Sequence, residues 1–148
     1  MAIASSVYSS AYAPAGAING DRAGTNWGSG GGWNDATAGE YPDWLEVDFA
    51  STYSINQINV FTVQDNFQAP VEPTDSMTFS QYGLTSFVVQ YWTGTTWATV
   101  PGGTITGNTL VKRAVTFTPV STQKIRVLVN AAVDIWSRIT EVEALVAP

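Results

Sequence analysis

The sequence predicts an all-β fold, an antiparallel sandwich or barrel, and three observations predict it. Apolar and polar residues alternate with period two in six short segments. Turn-forming residues separate those segments. Eighteen Thr and sixteen Val in 148 residues supply the β-branched side chains that fit a pleated, half-buried surface.

The first alternating segment is 44–49, where Leu45, Val47 and Phe49 share a face. In 55–63, Ile58 and Val60 do so. Phe87, Val89 and Tyr91 share a face within 85–93, and Thr93-Gly94-Thr95 leading into Trp97 reads as a hairpin connection. Val115 and Phe117 follow within 109–118, then Ile125, Val127 and Val129 within 123–130, and the last segment is 139–146. No heptad, internal repeat or long helical period interrupts the series. A chain of this length is one domain's worth of protein, 1–148, with enough residues to bury a sizeable core.

Composition excludes several chemistries. Charged residues are only 12%, so Thr, Ser and Gly must supply the polar surface. Six Lys and Arg against twelve Asp and Glu cannot offset a phosphate backbone, which argues against nucleic acid. The absence of Cys excludes disulfides and thiolate chemistry, and the absence of His excludes any Ser-His-Asp arrangement. No apolar run is long enough for a membrane-spanning helix. Met1-Ala2-Ile3-Ala4 is too short for an export signal, so the chain reads as an excised or mature segment.

Two stretches exceed simple turns. Segment 28–42 is glycine-rich yet carries Trp33, Asn34, Asp35 and Tyr41; segment 64–82 carries Gln64, Asp65, Asn66, Phe67 and Phe79. Long loops in a compact domain are usually functional or disordered, and aromatic residues favour function. On a sandwich, such loops can gather at one end.

Five motifs resemble one family. Ala17-Ile18-Asn19-Gly20-Asp21 followed by Thr25-Asn26-Trp27 resembles the opening of discoidin domains, also called F5/8 type C domains, many bacterial members of which are family 32 carbohydrate-binding modules. Pro42-Asp43-Trp44-Leu45-Glu46-Val47-Asp48-Phe49 and Ile55-Asn56-Gln57-Ile58-Asn59-Val60 are similar to the strands that follow in that family. The hairpin from Phe87 to Trp97 and the closing Arg138-Ile139-Thr140-Glu141-Val142-Glu143 complete the order, and together the motifs span about nine tenths of the chain. The resemblance implies an eight-stranded jelly-roll sandwich, ligand binding on end loops and, as in many members, a structural calcium ion.

Carried over by position, the implied calcium set is Asn19, Asp21, Thr25 and Glu141. Asn19 stands where Asp is common, and one extra residue separates Asp21 from Thr25. The same residues also read as an Asn-Gly turn whose Asp21 bonds its own loop. The family's loop before the last strand often supplies a sugar-stacking aromatic, which falls on Trp136. Sugars present apolar C–H faces and hydroxyls, so a site needs aromatic platforms beside planar hydrogen-bonding groups. Trp33, Asn34 and Asp35 offer that mixture in one loop, and Gln64, Asp65, Asn66 and Phe67 in another. Arg138 suits a sugar hydroxyl or an ion pair with Glu141 or Asp134. Trp27, Trp44 and Trp97 read as packing residues. The family's His-Arg-Asn galactose triad cannot be present without histidine.

The expectation is therefore a non-catalytic, extracellular or cell-surface module that binds carbohydrate, attached to a larger multidomain protein. Glu141 with Glu143, and Glu46 with Asp48, have a spacing open to glycoside hydrolysis, but a solvated or metal-binding strand face explains them more simply. The alternatives are a protein- or membrane-binding discoidin domain, with the acidic balance disfavouring anionic lipid, or a structural assembly module.

Overall fold

The computed structural model describes all residues, 1–148. Eight strands form in chain order: β1 (Ala2–Ala4), β2 (Trp33–Asn34), β3 (Asp43–Phe61), β4 (Leu84–Trp92), β5 (Trp97–Ile105), β6 (Lys112–Ala132), β7 (Arg138–Ile139) and β8 (Glu141–Val146). Every pairing is antiparallel. Two 3-10 turns, Ser10–Tyr12 and Pro14–Ile18, are the helical elements, in an Ala- and Ser-rich stretch that carries no helical period.

β3 and β6 are long because each serves both layers of the sandwich. Their register breaks between Asp48 and Tyr53. Before the break, β3 lies between β1 and the second half of β6, which continues the layer through β4 to β5. After it, β3 lies between β8 and the first half of β6. Side chains of both halves meet in one core of 18 buried residues, including Leu45, Ile58, Phe87, Val127 and Val142. Burying such side chains supplies the main driving force, at about 1.5–3 kcal/mol for each large aliphatic or Phe.

The period-two reading holds for Leu45 and Val47, for Phe87 and Val89, and for Ile125, Val127 and Val129, all buried. A strict period two would place Ile55 and Ile58 on opposite faces. Both are buried, at 1% and 0% exposure, because a bulge between Ile55 and Gln57 re-phases the strand.

The tryptophans depart from expectation. Trp33 does not offer a ring to ligand: it is fully buried, and its Nε1 donates to the Ser6 carbonyl at 2.9 Å. Strand alternation explains this, since one residue of the two-residue β2 must point inward. Trp44 and Trp97 lie half-buried on the outer face of the larger layer rather than in the core. There Trp97 packs edge-on to Trp92 at 5.4 Å, with the Lys124 ammonium 4.9 Å from the Trp92 ring and the Arg126 guanidinium 4.6 Å from that of Trp97. Few charges mark this sequence, and here two of them cover exposed indole faces.

Candidate functional site

A second, small sheet organises the loop end of the sandwich. β2 pairs with β7, setting Trp33 opposite Ile139 and Asn34 opposite Arg138. Trp33 and Ile139 point into the core, so alternation turns Asn34 and Arg138 the other way. The two are joined by Arg138 Nε donating to Asn34 Oδ1 at 3.0 Å.

They form the polar part of a cleft of about 240 Å³ whose remaining lining is Tyr8, Tyr12, Trp27, Val63, Phe67, Tyr82 and Trp136. One wall is a run of edge-to-face rings: Trp136 to Tyr8 at 5.3 Å, Tyr8 to Tyr12 at 5.7 Å, Tyr12 to Trp27 at 5.2 Å. The Ser10–Tyr12 turn brings Tyr8 and Tyr12 together. Gly32 makes room for Trp27, since a Cβ at Gly32 would stand 2.5 Å from the indole ring. The other wall is Phe67 against Tyr82 at 5.4 Å, with the Arg138 guanidinium 5.3 Å from the Tyr82 ring. Arg138 Nη1 also donates to Asp134 Oδ2 at 3.0 Å, so its ion-pair partner is Asp134 and not Glu141.

The Trp136 loop is fixed from beneath. Ser137 N donates to Asp35 Oδ1 at 2.7 Å, Asp35 N donates to the Ser137 carbonyl at 3.2 Å, and Ser137 Oγ donates to Asp43 Oδ2 at 2.7 Å. Thr37 N donates to Asp35 Oδ2 at 2.8 Å. Asp35 and Ser137 are fully buried and Asp43 nearly so. Burial pushes the Asp43 carboxyl above its ordinary pKa, against the Ser137 hydrogen bond. Asp35 is thus a clamp for the loop and is not available to a sugar hydroxyl. Directly before Trp136, Ile135 adopts φ 55°, a left-handed conformation costly for a β-branched residue; its carbonyl accepts from Gly39 N at 2.8 Å, and the clamp at Ser137 fixes the chain two residues on.

The 64–82 loop divides similarly. Gln64 is buried and bonds the Val71 backbone twice: its Nε2 donates to the Val71 carbonyl at 2.9 Å, and its Oε1 accepts from Val71 N at 3.0 Å. Asp65 accepts from Ser80 N, Ser80 Oγ and Gln81 N. Burial alone would raise its pKa, but the Ser80 and Gln81 donors outweigh it and hold the carboxyl below its ordinary range. Asn66 Nδ2 donates to the Ala69 carbonyl at 2.7 Å, and Asn66 is not part of the cleft lining. Of the sequence-predicted ligand residues, the cleft gathers Asn34, Phe67, Trp136 and Arg138; Trp33, Asp35, Gln64, Asp65 and Asn66 shape or support the loops around it. Sequence reasoning missed Tyr8, Tyr12, Trp27 and Tyr82. The four-residue spacing of Tyr8 and Tyr12 in an otherwise small-residue stretch was the available signal.

Asn19, Asp21, Thr25 and Glu141 also come together, on the flank of the sandwich. Glu141 Oε2 accepts from Asn19 N and Gly20 N, both at 3.1 Å. Asn19 Oδ1 accepts from Asp21 N; Asp21 accepts from Gly24 N, Thr25 Oγ1 and Asn26 N. Calcium takes six to eight oxygens. These oxygens are turned to N–H and O–H donors, and no three His, Cys, Asp or Glu side chains converge as a set that could hold a metal ion.

Burial raises the Glu141 pKa from 4.5 to about 7, against the Gly20 and Asn19 N–H bonds, with Glu143 and Asp21 adding to the rise. The folded state therefore holds this proton more tightly than the unfolded state. Stability is greatest below about pH 4.5 for this group and falls as pH climbs through 7, by on the order of 3 kcal/mol at most. Asp43, also raised, contributes with the same sign. Melting temperatures measured from pH 5 to 8 are expected to fall, and Glu141→Gln, which cannot titrate, to flatten most of that slope. An unchanged slope in the variant would place the titration elsewhere.

Comparison with known proteins agrees with this architecture. A family model of F5/8 type C domains, described as NedA-like, galactose-binding domain, matches residues 16–127. No curated protein matches. Among solved structures, chitosan-binding module 1 from the chitosanase/glucanase of Paenibacillus sp. IK-5 is similar, with TM-score 0.72 and 20% identity over 98% of this chain and 93% of that one. The family 32 module from C. perfringens NanJ in complex with galactose gives 0.68 and 19%, over 97% and 91%. A Streptococcus pneumoniae fucose binding module gives 0.72 and 18%, over 99% and 91%. With the family model covering most of its length, and its five motifs in order on an antiparallel sandwich, the chain belongs to the F5/8 type C, galactose-binding-like domain family.

Proposed function

We propose that this domain is a non-catalytic carbohydrate-binding module whose site is the aromatic cleft at the loop end. The observation that carries the reading is the convergence of six aromatic rings on Asn34 and Arg138 in one cleft. Its volume, about 240 Å³, lies below the roughly 300–1,000 Å³ of drug-sized pockets and suits one sugar unit. Aromatic faces take the C–H side of that unit, and the planar amide and guanidinium orient its oxygens. Structural neighbours described as binding chitosan, galactose or fucose support the sugar reading without choosing among sugars.

Three of the four carboxylates considered for hydrolysis are engaged elsewhere, and the fourth, Asp48, lies on β3 away from the cleft. Glu46 pairs with Lys124, Glu143 with Arg22, and Glu141 closes the 19–25 loop. No Asp or Glu lines the cleft. A single-unit site binds weakly, so attachment to a larger extracellular or cell-surface protein, with avidity from repeated modules, belongs to the same proposal.

A glycan array with the wild type and Trp136→Ala tests this. Loss of a defined sugar signal in the variant, at unchanged melting temperature, is the expected outcome; equal binding by both would move the site off this cleft. For the 19–25 loop we propose closure by hydrogen bonds in place of calcium. Melting in chelator and in millimolar calcium should then coincide. A saturating ion would add about 2.7 kcal/mol at a hundredfold excess over Kd, a rise of several degrees, and that rise would overturn the proposal.

A further inference from the structure

The polar chemistry of the cleft is one-sided. Arg138 is the one charged residue that lines it. A guanidinium only donates. Asn34 Oδ1 already accepts from Arg138 and one Nδ2 N–H goes to the Asp35 carbonyl at 2.8 Å, which leaves the second N–H as its readier group for a ligand. Tyr8, Tyr12 and Tyr82 bring phenol oxygens, which can donate or accept; no lining side chain offers a carboxylate, and the one lining amide oxygen, Asn34 Oδ1, is already bonded to Arg138. A sugar hydroxyl is both donor and acceptor, so a fully hydroxylated unit finds few acceptors here. A carboxylate accepts only, and planar guanidinium matches it in shape and charge.

Asp134 shows what the cation takes. Its carboxylate sits on Arg138 Nη1 at 3.0 Å, but its side chain is 51% exposed while that of Arg138 is 14% exposed. The pair therefore joins a largely enclosed cation, stacked on Tyr82, to a solvent-facing and exchangeable anion. Arg138 Nη2 has no protein acceptor, its other nitrogens being those that meet Asn34 and Asp134.

Building on the sugar-binding reading, we propose that the cleft selects a uronic acid unit, whose carboxylate takes the place of Asp134 on Arg138 while the ring lies between the aromatic walls. The aromatic walls lower the local dielectric and strengthen this charge-assisted contact. The chain's net charge of −6 opposes long-range approach of an anion, so binding should tighten, not weaken, as moderate salt screens that repulsion.

Calorimetry with short oligomers of galacturonic, glucuronic and mannuronic acid, each beside its methyl ester, tests the idea, because the ester removes the charge while keeping the ring and its hydroxyls. At least one acid is expected to bind about tenfold or more tighter than its ester. Asp134→Asn should raise affinity for the acid by a factor of about two to five and leave the ester unchanged. Arg138→Gln should erase the difference between acid and ester, with its melting temperature confirming the fold. Equal binding of acids and esters, or binding of neutral glycans alone, would overturn the uronate assignment and leave the sugar reading standing. Binding of sulfated galactan without any uronate would overturn the carboxylate in favour of a sulfate ester. Failure of every glycan, neutral or anionic, would overturn both.

Discussion

The loop end of this domain depends on one buried contact, the hydrogen bonds between Asp35 and Ser137. These residues are about a hundred positions apart in sequence, and their mutual backbone and side-chain bonds join the glycine-rich segment before β3 to the segment before β8. Hydrogen bonds to a charged group contribute about 1.5–3 kcal/mol each, and removing the donors would leave a fully buried carboxylate unsatisfied, which costs more. Asp43 extends the contact through Ser137 Oγ and ties it to the first residue of β3. Because the clamp is buried and its carboxylates are paired, it sets the position of the two-residue β2–β7 sheet. That sheet in turn decides which side chains face the core and which face the cleft.

Three consequences follow from that small sheet. Trp33 and Ile139 complete the core at one end of the sandwich, where long loops would otherwise leave it open. Asn34 and Arg138 emerge side by side, already bonded to one another, as a preformed polar floor. Trp136 projects from the clamped loop at the cost of a left-handed Ile135. Strain of this kind persists only where surrounding contacts over-determine the backbone, and here those contacts are the Gly39 N–H on the Ile135 carbonyl and the bonds of Ser137. The aromatic wall needs no comparable device, since Tyr8, Tyr12 and Trp27 brace one another edge to face.

Much of the sandwich was legible in the sequence because one face of each strand is buried, which enforces period two. The exception was the phase of β3: the bulge after Ile55 is a matter of register with β6 and β8, and no local pattern announces it. The candidate site was half legible. Trp136 and Phe67 sit in loops whose composition marked them, and Arg138 follows directly at the start of β7. Trp33 and Asp35 share that composition, yet one fills the core and the other holds the clamp, because burial is decided by pairing with residues a hundred positions away. Gln64 and Asp65 misled for a related reason: a polar side chain that closes its own loop looks the same in sequence as one that waits for a ligand. Tyr8 and Tyr12 escaped notice because the N-terminal stretch carries no strand or loop signal until it is folded against the cleft.

The clamp can be tested without knowing the ligand, by native-state hydrogen exchange at the Ser137 amide. That N–H is fully buried and donates to a buried carboxylate, whereas Asp134 and Ile135 just before it are exposed. If the clamp organises the loop end, the Ser137 amide should exchange only through global unfolding, with protection close to that of core amides such as Val127. Exchange of Ser137 at the rate of its exposed neighbours would contradict the account, because the loop carrying Trp136 would then open without unfolding the domain.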